Sequence, residues 1–593
     1  MSKLIPSFLK SGRRQKRRAY QYDPLPCKDS LRILSLKPVE GWGPLVVTLE
    51  IVQGQAMRER LANTRALSYV WGDSDRTEII ICNERTLKIT SNLRKALEAI
   101  RDPNDEISVW ADAVCINQED LLERGHQIKL MTQIYSGAGE VLVWLGSDAG
   151  HDGSQAFQAV QILATDPLSG DNLVRDAQGG VTIQLLNKII RCPWFHRMWT
   201  IQELGLAKSA TLIWDESRTS WANLTHAFMT LERVLSKKNM ERWGLDVGRL
   251  TTLYQWQSPT KRQTFLELLD MSTKQKTSDP RDRVFALLSH PSAQVQETAN
   301  GPVIPLMEAD YTMPETEVYT EIAANIIIST KRLDVLSYKH INAASYWRDH
   351  NDGLPSWAPY WTFASNARSY DVPKCLLRCH QVFHAAGLDR FSCWNGEVTK
   401  STGRDQSGVP ASSQRSLRVK AAVVGNIEIV YRQMWDTNST PQDQLEAFEK
   451  MTARMERLKT ISEEACYCMY RAASTCLWMN SQDLKVEWMA YWQGVWNSLP
   501  ASTHGYEKTV DYAEKARRFF VTDTGYIGLC PEIAQTGDEV CILQGGRVPY
   551  VIRQFGVGEW ELIGECYVSG TMHGEFVERT EGNGVEWEAR TLV

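Results

Sequence analysis

The stretch Trp110–Gly146, WADAVCINQEDLLERGHQIKLMTQIYSGAGEVLVWLG, holds a strand, a polar loop, a helix and a second strand. Ser108 to Val114 is a short apolar run with Asp112 near its end, suited to a buried parallel strand. The loop Cys115-Ile116-Asn117-Gln118-Glu119-Asp120 is polar and needs solvent or a ligand beside it. Ile128, Met131, Ile134, Tyr135 and Ala138 then recur at helical spacing and give one apolar face. Val141–Leu145 is again a continuous apolar run. A strand–loop–helix–strand unit places its polar loop at the carboxyl edge of a parallel sheet, where open α/β sheets bind ligands.

The chain has 593 residues, and at roughly 150 residues per domain this allows about four domains. An apolar fraction of 43% supplies a sizeable core, and a net charge of −5 argues against a nucleic-acid coat, so no nucleic-acid partner is expected. The thirteen cysteines are scattered, with Cys466 and Cys468 the closest pair. They read as reduced thiols of an intracellular, cytoplasmic protein. No His/Cys set has metal-ligand spacing, so no metal is expected. No apolar run approaches the roughly 20 residues of a membrane span. Lys10, Arg13, Arg14, Lys16, Arg17 and Arg18 precede no apolar stretch, which excludes a secretory signal. Residues 1–28 are read as a basic, disordered tail, with a nuclear address as the alternative.

Outward from the opening unit, Leu31–Leu36 and Leu45–Ile51 are expected strands, as is Arg65–Gly72, which breaks at Gly72-Asp73. Thr77–Thr90 is an expected hairpin turning at Asn83-Glu84, and Ser91 or Asn92 is expected to cap the next helix. Thr182–Ile190 is helical in pattern, and Ala210–Trp214 is a short strand. From about residue 217 to 515 the pattern is mainly helical. Asp279-Pro280 and Pro314 start helices there, Gly396–Gln414 reads as an exposed loop, and Trp478, Trp488, Trp492 and Trp496 anchor a helical stretch at 440–500. Residues 516–593 hold short strands at regular spacing, as in a small β-barrel or β-sandwich. No G-x-x-x-x-G-K-[ST], G-x-G-x-x-G or G-x-S-x-G element occurs. ATP-driven signalling, Rossmann dehydrogenases and α/β-hydrolases are thereby disfavoured.

Taken together, Ala66–Gly72, Trp110–Gln118, Glu123-Arg124 with Gln127, and Arg197 with Trp199, Gln202 and Glu203 resemble the fungal heterokaryon incompatibility (HET) domain. The domain is placed at 29–216. Thr277–Leu288 and Gly537–Glu575 resemble the later regions of such proteins. The resemblance implies a role in non-self recognition between fungal strains, ending in programmed cell death, a form of innate immunity. It also implies self-association through the HET domain and a sensor or allelic partner protein.

HET domains are distantly similar to TIR domains, which implies a flavodoxin/TIR-like parallel sheet at the N-terminal side of the chain. Many TIR domains cleave NAD. Leu122-Glu123-Arg124-Gly125 and Trp199-Thr200-Ile201-Gln202-Glu203 stand where TIR domains carry a helix start and a Trp-x-x-x-Glu helix. By this resemblance NAD becomes a candidate substrate, with no required cofactor, and Glu203 the candidate catalytic acid.

Cleavage of a nicotinamide–ribose bond develops oxocarbenium character, which a nearby carboxylate stabilises. Glu203 lies four residues after Trp199, on the same helical face. Tyr69, Trp71 and Gly72 end a strand where aromatic faces can stack on a base. Asp112, Asn117 and Gln118 offer hydroxyl or amide recognition, and Arg197 a phosphate contact. Each also has a plain structural reading. Trp71, Trp144 and Trp199 fill cores more often than they stack on ligands, Asp112 can cap the Asn117–Glu123 turn, and Arg197 can pair with Glu203 or Asp112. Cys115 reads as a small buried hydrophobe, and a non-enzymatic oligomerising adaptor is the alternative function.

Overall fold

The structure, a computed structural model, describes residues 17–38, 44–72, 75–148, 150, 152–165, 179–234, 253, 256, 264–296, 302–338, 353–362, 385–386, 394, 396–400, 415–430, 517–568, 570–581 and 586–593. The expected helical stretch at 440–500, with its four tryptophans, lies outside these residues. The chain divides into two compact units, Met1–Arg262 with Gln275–Thr277, and Gln263–Lys274 with Ser278–Val593. No helix among the described residues is long and apolar enough to cross a membrane.

The first unit is an α/β layer structure. Its elements are β1 (Ser30–Leu36), β2 (Val46–Gln53), α1 (Gly54–Ala62), β3 (Arg65–Tyr69), β4 (Glu78–Cys82), β5 (Arg85–Ile89), α2 (Ser91–Ile100), β6 (Ile107–Trp110), α3 (Asp112–Cys115) and α4 (Leu121–Gly137). There follow β7 (Glu140–Gly146), α5 (Asp152–Thr165), α6 (Gly179–Arg191), α7 (Thr200–Gly205), β8 (Ala210–Trp214), β9 (Ser217–Ser220) and α8 (Trp221–Val234). The strands form one sheet in the order β5-β4-β2-β1-β6-β3-β7-β8-β9. β6, β3, β7 and β8 are mutually parallel, whereas β1 meets both β2 and β6 antiparallel and β9 meets β8 antiparallel. The sheet is therefore mixed, with the expected parallel strands at its centre and antiparallel strands around them. Three hairpins, β1–β2, β4–β5 and β8–β9, together with the β1–β6 pair, make up the antiparallel pairs around the parallel core.

β3, β6 and β7 are buried almost throughout. That is why each reads as a near-continuous apolar run: both faces are buried, so no alternation survives. The β4–β5 hairpin turns at Asn83 and Glu84, both with positive φ, as a two-residue turn matching strand twist requires. Thr90, one residue earlier than expected, caps α2 by accepting the Leu93 N–H. β6 ends at Trp110 instead of running on to Val114 as expected, because Asp112–Cys115 makes one helical turn before the chain extends into the loop.

The expected disordered tail is anchored from Arg17 onward. Thr86 N–H donates to Arg18 O and Tyr20 N–H to Thr86 O, while the Tyr22 hydroxyl donates to Val114 O. The Arg32 guanidinium sits 4.9 Å from the centre of the Tyr22 ring. A basic composition alone did not reveal these aromatic and backbone anchors.

In the second unit the described helices include α9 (Phe265–Met271), α10 (Asp282–Phe285), α11 (Glu315–Thr330) and α12 (Glu575–Glu581). Pro314 is the N-cap residue of α11, at the expected position. The strands are β10 (Gln294–Gln296), β11 (Val303–Pro305), β12 (Val398–Lys400), β13 (Arg415–Val430), β14 (Arg517–Thr522), β15 (Ile527–Pro531), β16 (Glu539–Leu543), β17 (Pro549–Gly556), β18 (Glu559–Glu565), β19 (Tyr567–Val568) and β20 (Glu588–Leu592). β13, β16, β17, β18 and β20 pair in a closed ring, with β18 and β20 parallel. Closure leaves no open edge within that ring. The long β13 is shared, its first half pairing with β20 and its second with β16 and β14. Strands thus reach back to Val398, ahead of the expected module at 516–593. Val424, Ile427, Phe520, Val540, Ile542, Val551 and Ile563 form its core.

Candidate functional site

The parallel strands place the candidate site. β3 is the first of the parallel strands in the chain and lies between β6 and β7; the chain leaves β3 toward β6 on one side and leaves β7 toward β8 on the other. The carboxyl ends beside such a reversal form a crevice. Tyr69 ends β3, Trp71 and Gly72 follow it, and Asp112 follows β6. Gly72 has φ +73°, a conformation that lets the chain turn away sharply without Cβ strain. Asn92 steadies this corner: its amide donates to Val70 O at 2.6 Å and its carbonyl accepts from the Trp144 indole at 2.9 Å.

Glu203 lies in α7 and is 4% exposed. Its Oε2 accepts a hydrogen bond from the Ser68 hydroxyl of β3, which in turn accepts the Trp194 indole N–H at 2.6 Å. Burial pushes the Glu203 carboxyl above the usual carboxylate range. The Arg197 charge and the Ser68 hydrogen bond pull it back, and the Asp112 charge adds to the rise. Arg197 donates to Tyr69 O. Among the described residues it makes no ion pair, so the expected pairing with Glu203 or Asp112 is not formed within 4 Å. The chain around it is braced by Lys276, whose carbonyl accepts the Met198 N–H at 3.0 Å.

Asp112 is half-buried. Its Oδ2 accepts the Trp71 indole N–H at 2.8 Å and its Oδ1 the Ala113 N–H at 2.8 Å. The carboxylate thereby fixes the Trp71 ring at the mouth of the crevice. It does not cap the next helix, a task taken by Asp120, which accepts the Leu122 and Glu123 N–H groups. The Tyr69 hydroxyl is buried, and burial with the neighbouring Asp112 charge raises its pKa well above the ordinary phenol value. Tyr135 is buried as well, with Glu203, Asp112 and Arg197 as its charged neighbours.

Two expected ligand residues serve the loop itself. The Asn117 side chain accepts the Glu119 N–H, and Gln118 donates to Asp112 O at 2.8 Å. Glu123 accepts the Asn117 N–H at 2.6 Å and forms a buried ion pair with Arg32, also at 2.6 Å. That pair ties the loop to β1. Trp199 is half-buried and begins α7, its carbonyl accepting the Glu203 N–H. Cys115 is fully buried, and burial pushes its thiol up to about 12, as befits a core residue.

The structure therefore brings Tyr69, Trp71, Asp112, Arg197 and Glu203 into one neighbourhood and adds Ser68, Tyr135 and Trp194, which sequence reasoning missed. The signal for Ser68 was a lone hydroxyl in an otherwise apolar strand. Trp194 and Tyr135 carried none, since indoles and phenols at such positions also fill cores. A cleft of about 580 Å³ elsewhere in this unit, lined by Phe157, Gln161, Arg218 and Asn223 among others, includes none of the expected site residues.

Comparison with known proteins bears on these residues directly. The heterokaryon incompatibility protein (HET) family matches residues 65–203, from the start of β3 to Glu203 itself. The Het-6 beta-barrel domain family matches residues 427–585, which hold most of the closed ring. Heterokaryon incompatibility protein 6, OR allele, of Neurospora crassa is 25% identical over 645 aligned residues, covering 87% of this chain and 90% of that protein. No solved structure matches. With both domain families in order along the chain and a relative aligned over nearly all of it, this protein is a fungal HET domain-containing protein.

Proposed function

We propose that the protein is a heterokaryon incompatibility effector whose HET domain, once self-associated, triggers cell death by hydrolysing NAD. The observation that carries this reading is the buried Glu203 carboxyl, held by Ser68 beside Arg197 and Asp112 near the carboxyl end of the first parallel strand. The four parallel strands run 2-1-3-4 in chain order, as in a flavodoxin-type sheet, which supports the likeness to TIR domains. In hydrolysis the bond from ribose C1′ to the nicotinamide nitrogen breaks and its electron pair leaves with nicotinamide. Water adds to C1′ and releases a proton, giving ADP-ribose. Positive charge at the ribose favours the ionised form of Glu203, which stabilises that charge in return. The guanidinium of Arg197, which donates to Tyr69 O and makes no ion pair among the described residues, suits a phosphate oxygen, and the indole faces of Trp71 and Trp199 suit a base. A sensor or allelic partner supplies the trigger, and the protein acts in the cytoplasm.

A second reading has one observation in its favour. Glu203 is 4% exposed and its carboxyl already has a partner within the domain. On that reading the acid is a core element and the domain is an oligomerising adaptor. Full-length protein at high concentration with a crowding agent, incubated with NAD beside Glu203→Ala, separates the two. Nicotinamide release from the wild type alone supports hydrolysis. No release from either under assembling conditions supports the adaptor.

A further inference from the structure

We infer that Ser68 and Trp194 are positioning residues for Glu203: they make Oε2 a fixed hydrogen-bond acceptor and leave Oε1 as the atom that holds a proton or meets a ligand. This rests on reading Glu203 as the reacting acid. An indole nitrogen only donates, so the 2.6 Å contact between Trp194 and Ser68 must carry the indole hydrogen into the serine oxygen. The hydroxyl hydrogen then needs an acceptor of its own, and Glu203 Oε2 is in place to receive it. The chain runs one way, from Trp194 through Ser68 to Glu203.

Each member is locked where it stands. Ser68 lies within β3, opposite Val143 of β7 in the parallel ladder, and is 1% exposed. Trp194 is fully buried and edge-on to Phe195, with ring centres 4.9 Å apart. A carboxyl that accepts a bond at Oε2 has one remaining oxygen for its proton. Oε1 takes no hydrogen bond from the described residues, and the charged or titratable groups facing this carboxyl are Arg197, Asp112 and Tyr135. The relay thus decides which oxygen is free, not merely that the carboxyl is buried.

The test follows Glu203 directly in the full chain, as the pH dependence of its carboxyl stretch in infrared difference spectra assigned with Glu203→Gln. Removing a donor to the carboxylate disfavours its ionised form, so Ser68→Ala is expected to raise the apparent pKa by about one pH unit, roughly tenfold in the ionisation constant. Trp194→Phe should move it the same way by less, and Ser68→Thr should restore it. If the wild type releases nicotinamide, the pH profile of kcat/KM should shift in parallel. Should the spectra shift while no preparation hydrolyses NAD, the positioning role stands and the enzymatic reading falls. Unchanged titration of Glu203 in correctly folded Ser68→Ala and Trp194→Phe would overturn the inference.

Discussion

Burying the Glu203 carboxyl beside Ser68 raises its pKa, and a raised carboxyl opposes folding at neutral pH. Such a group contributes stability that is full below its unfolded pKa, about 4.3, and is lost as pH rises through the folded value. Glu203→Gln keeps an acceptor for Ser68 and removes the charge. It is expected to raise the Tm at pH 7 and to lose that advantage on acidification, as thermal scans across pH would record. Arg32 and Glu123 are the opposite case, 1% and 8% exposed and paired at 2.6 Å. Arg32→Met leaves a buried carboxylate without its cation and should cost about 3–5 kcal/mol in urea unfolding. Adding Glu123→Leu should recover most of it. These residue-level roles were only partly legible. Glu123 stood out in the sequence as part of a HET-like motif, but its partner lies 91 positions away across the sheet. Only the folded register brings Arg32 to it.

At the scale of single elements, α7 is six residues long and carries Glu203, so its seating governs where the carboxyl stands. Gly205 closes it against the Trp256 indole, and a methyl at that position would run into the ring. Gly205→Ala should therefore cost about 1–3 kcal/mol by overpacking, measured by denaturant unfolding, and Trp256→Leu in the same chain should relieve it. The elements legible in the sequence were those whose burial writes a pattern, such as the apolar runs of β3 and β7 and the helical face of α4. Loop roles were harder. Asn117 and Gln118 look like ligand residues because they are polar and clustered, yet they bond to the turn that contains them. A polar loop must satisfy its own backbone before it can serve a ligand.

For the whole molecule, local pattern predicts strands but not which of them meet. β13 escapes a reading by local pattern because its sixteen residues serve four partners, β12, β14, β16 and β20, so its two halves answer to different neighbours. The parallel core was foreseen from the strand–loop–helix–strand unit, whereas the antiparallel strands around it depend on hairpin geometry and long-range register. The second unit also carries its own pH dependence. Burial pushes His290 down to about 4, so its contribution is present above the unfolded value of about 6.5 and is lost as pH falls through the folded one. Acid unfolding followed within this unit should show a shallower loss between those values in His290→Asn.

A single acid in one domain, Glu203, is proposed to carry the activity of the whole chain. The most direct measurement is nicotinamide release by the full-length protein at high concentration, compared with folded Glu203→Gln. Release by the wild type with loss of at least a hundredfold in the variant, at equal or higher Tm, is the expected result. Equal rates in the two proteins, or no release from the wild type when it is assembled, would contradict it.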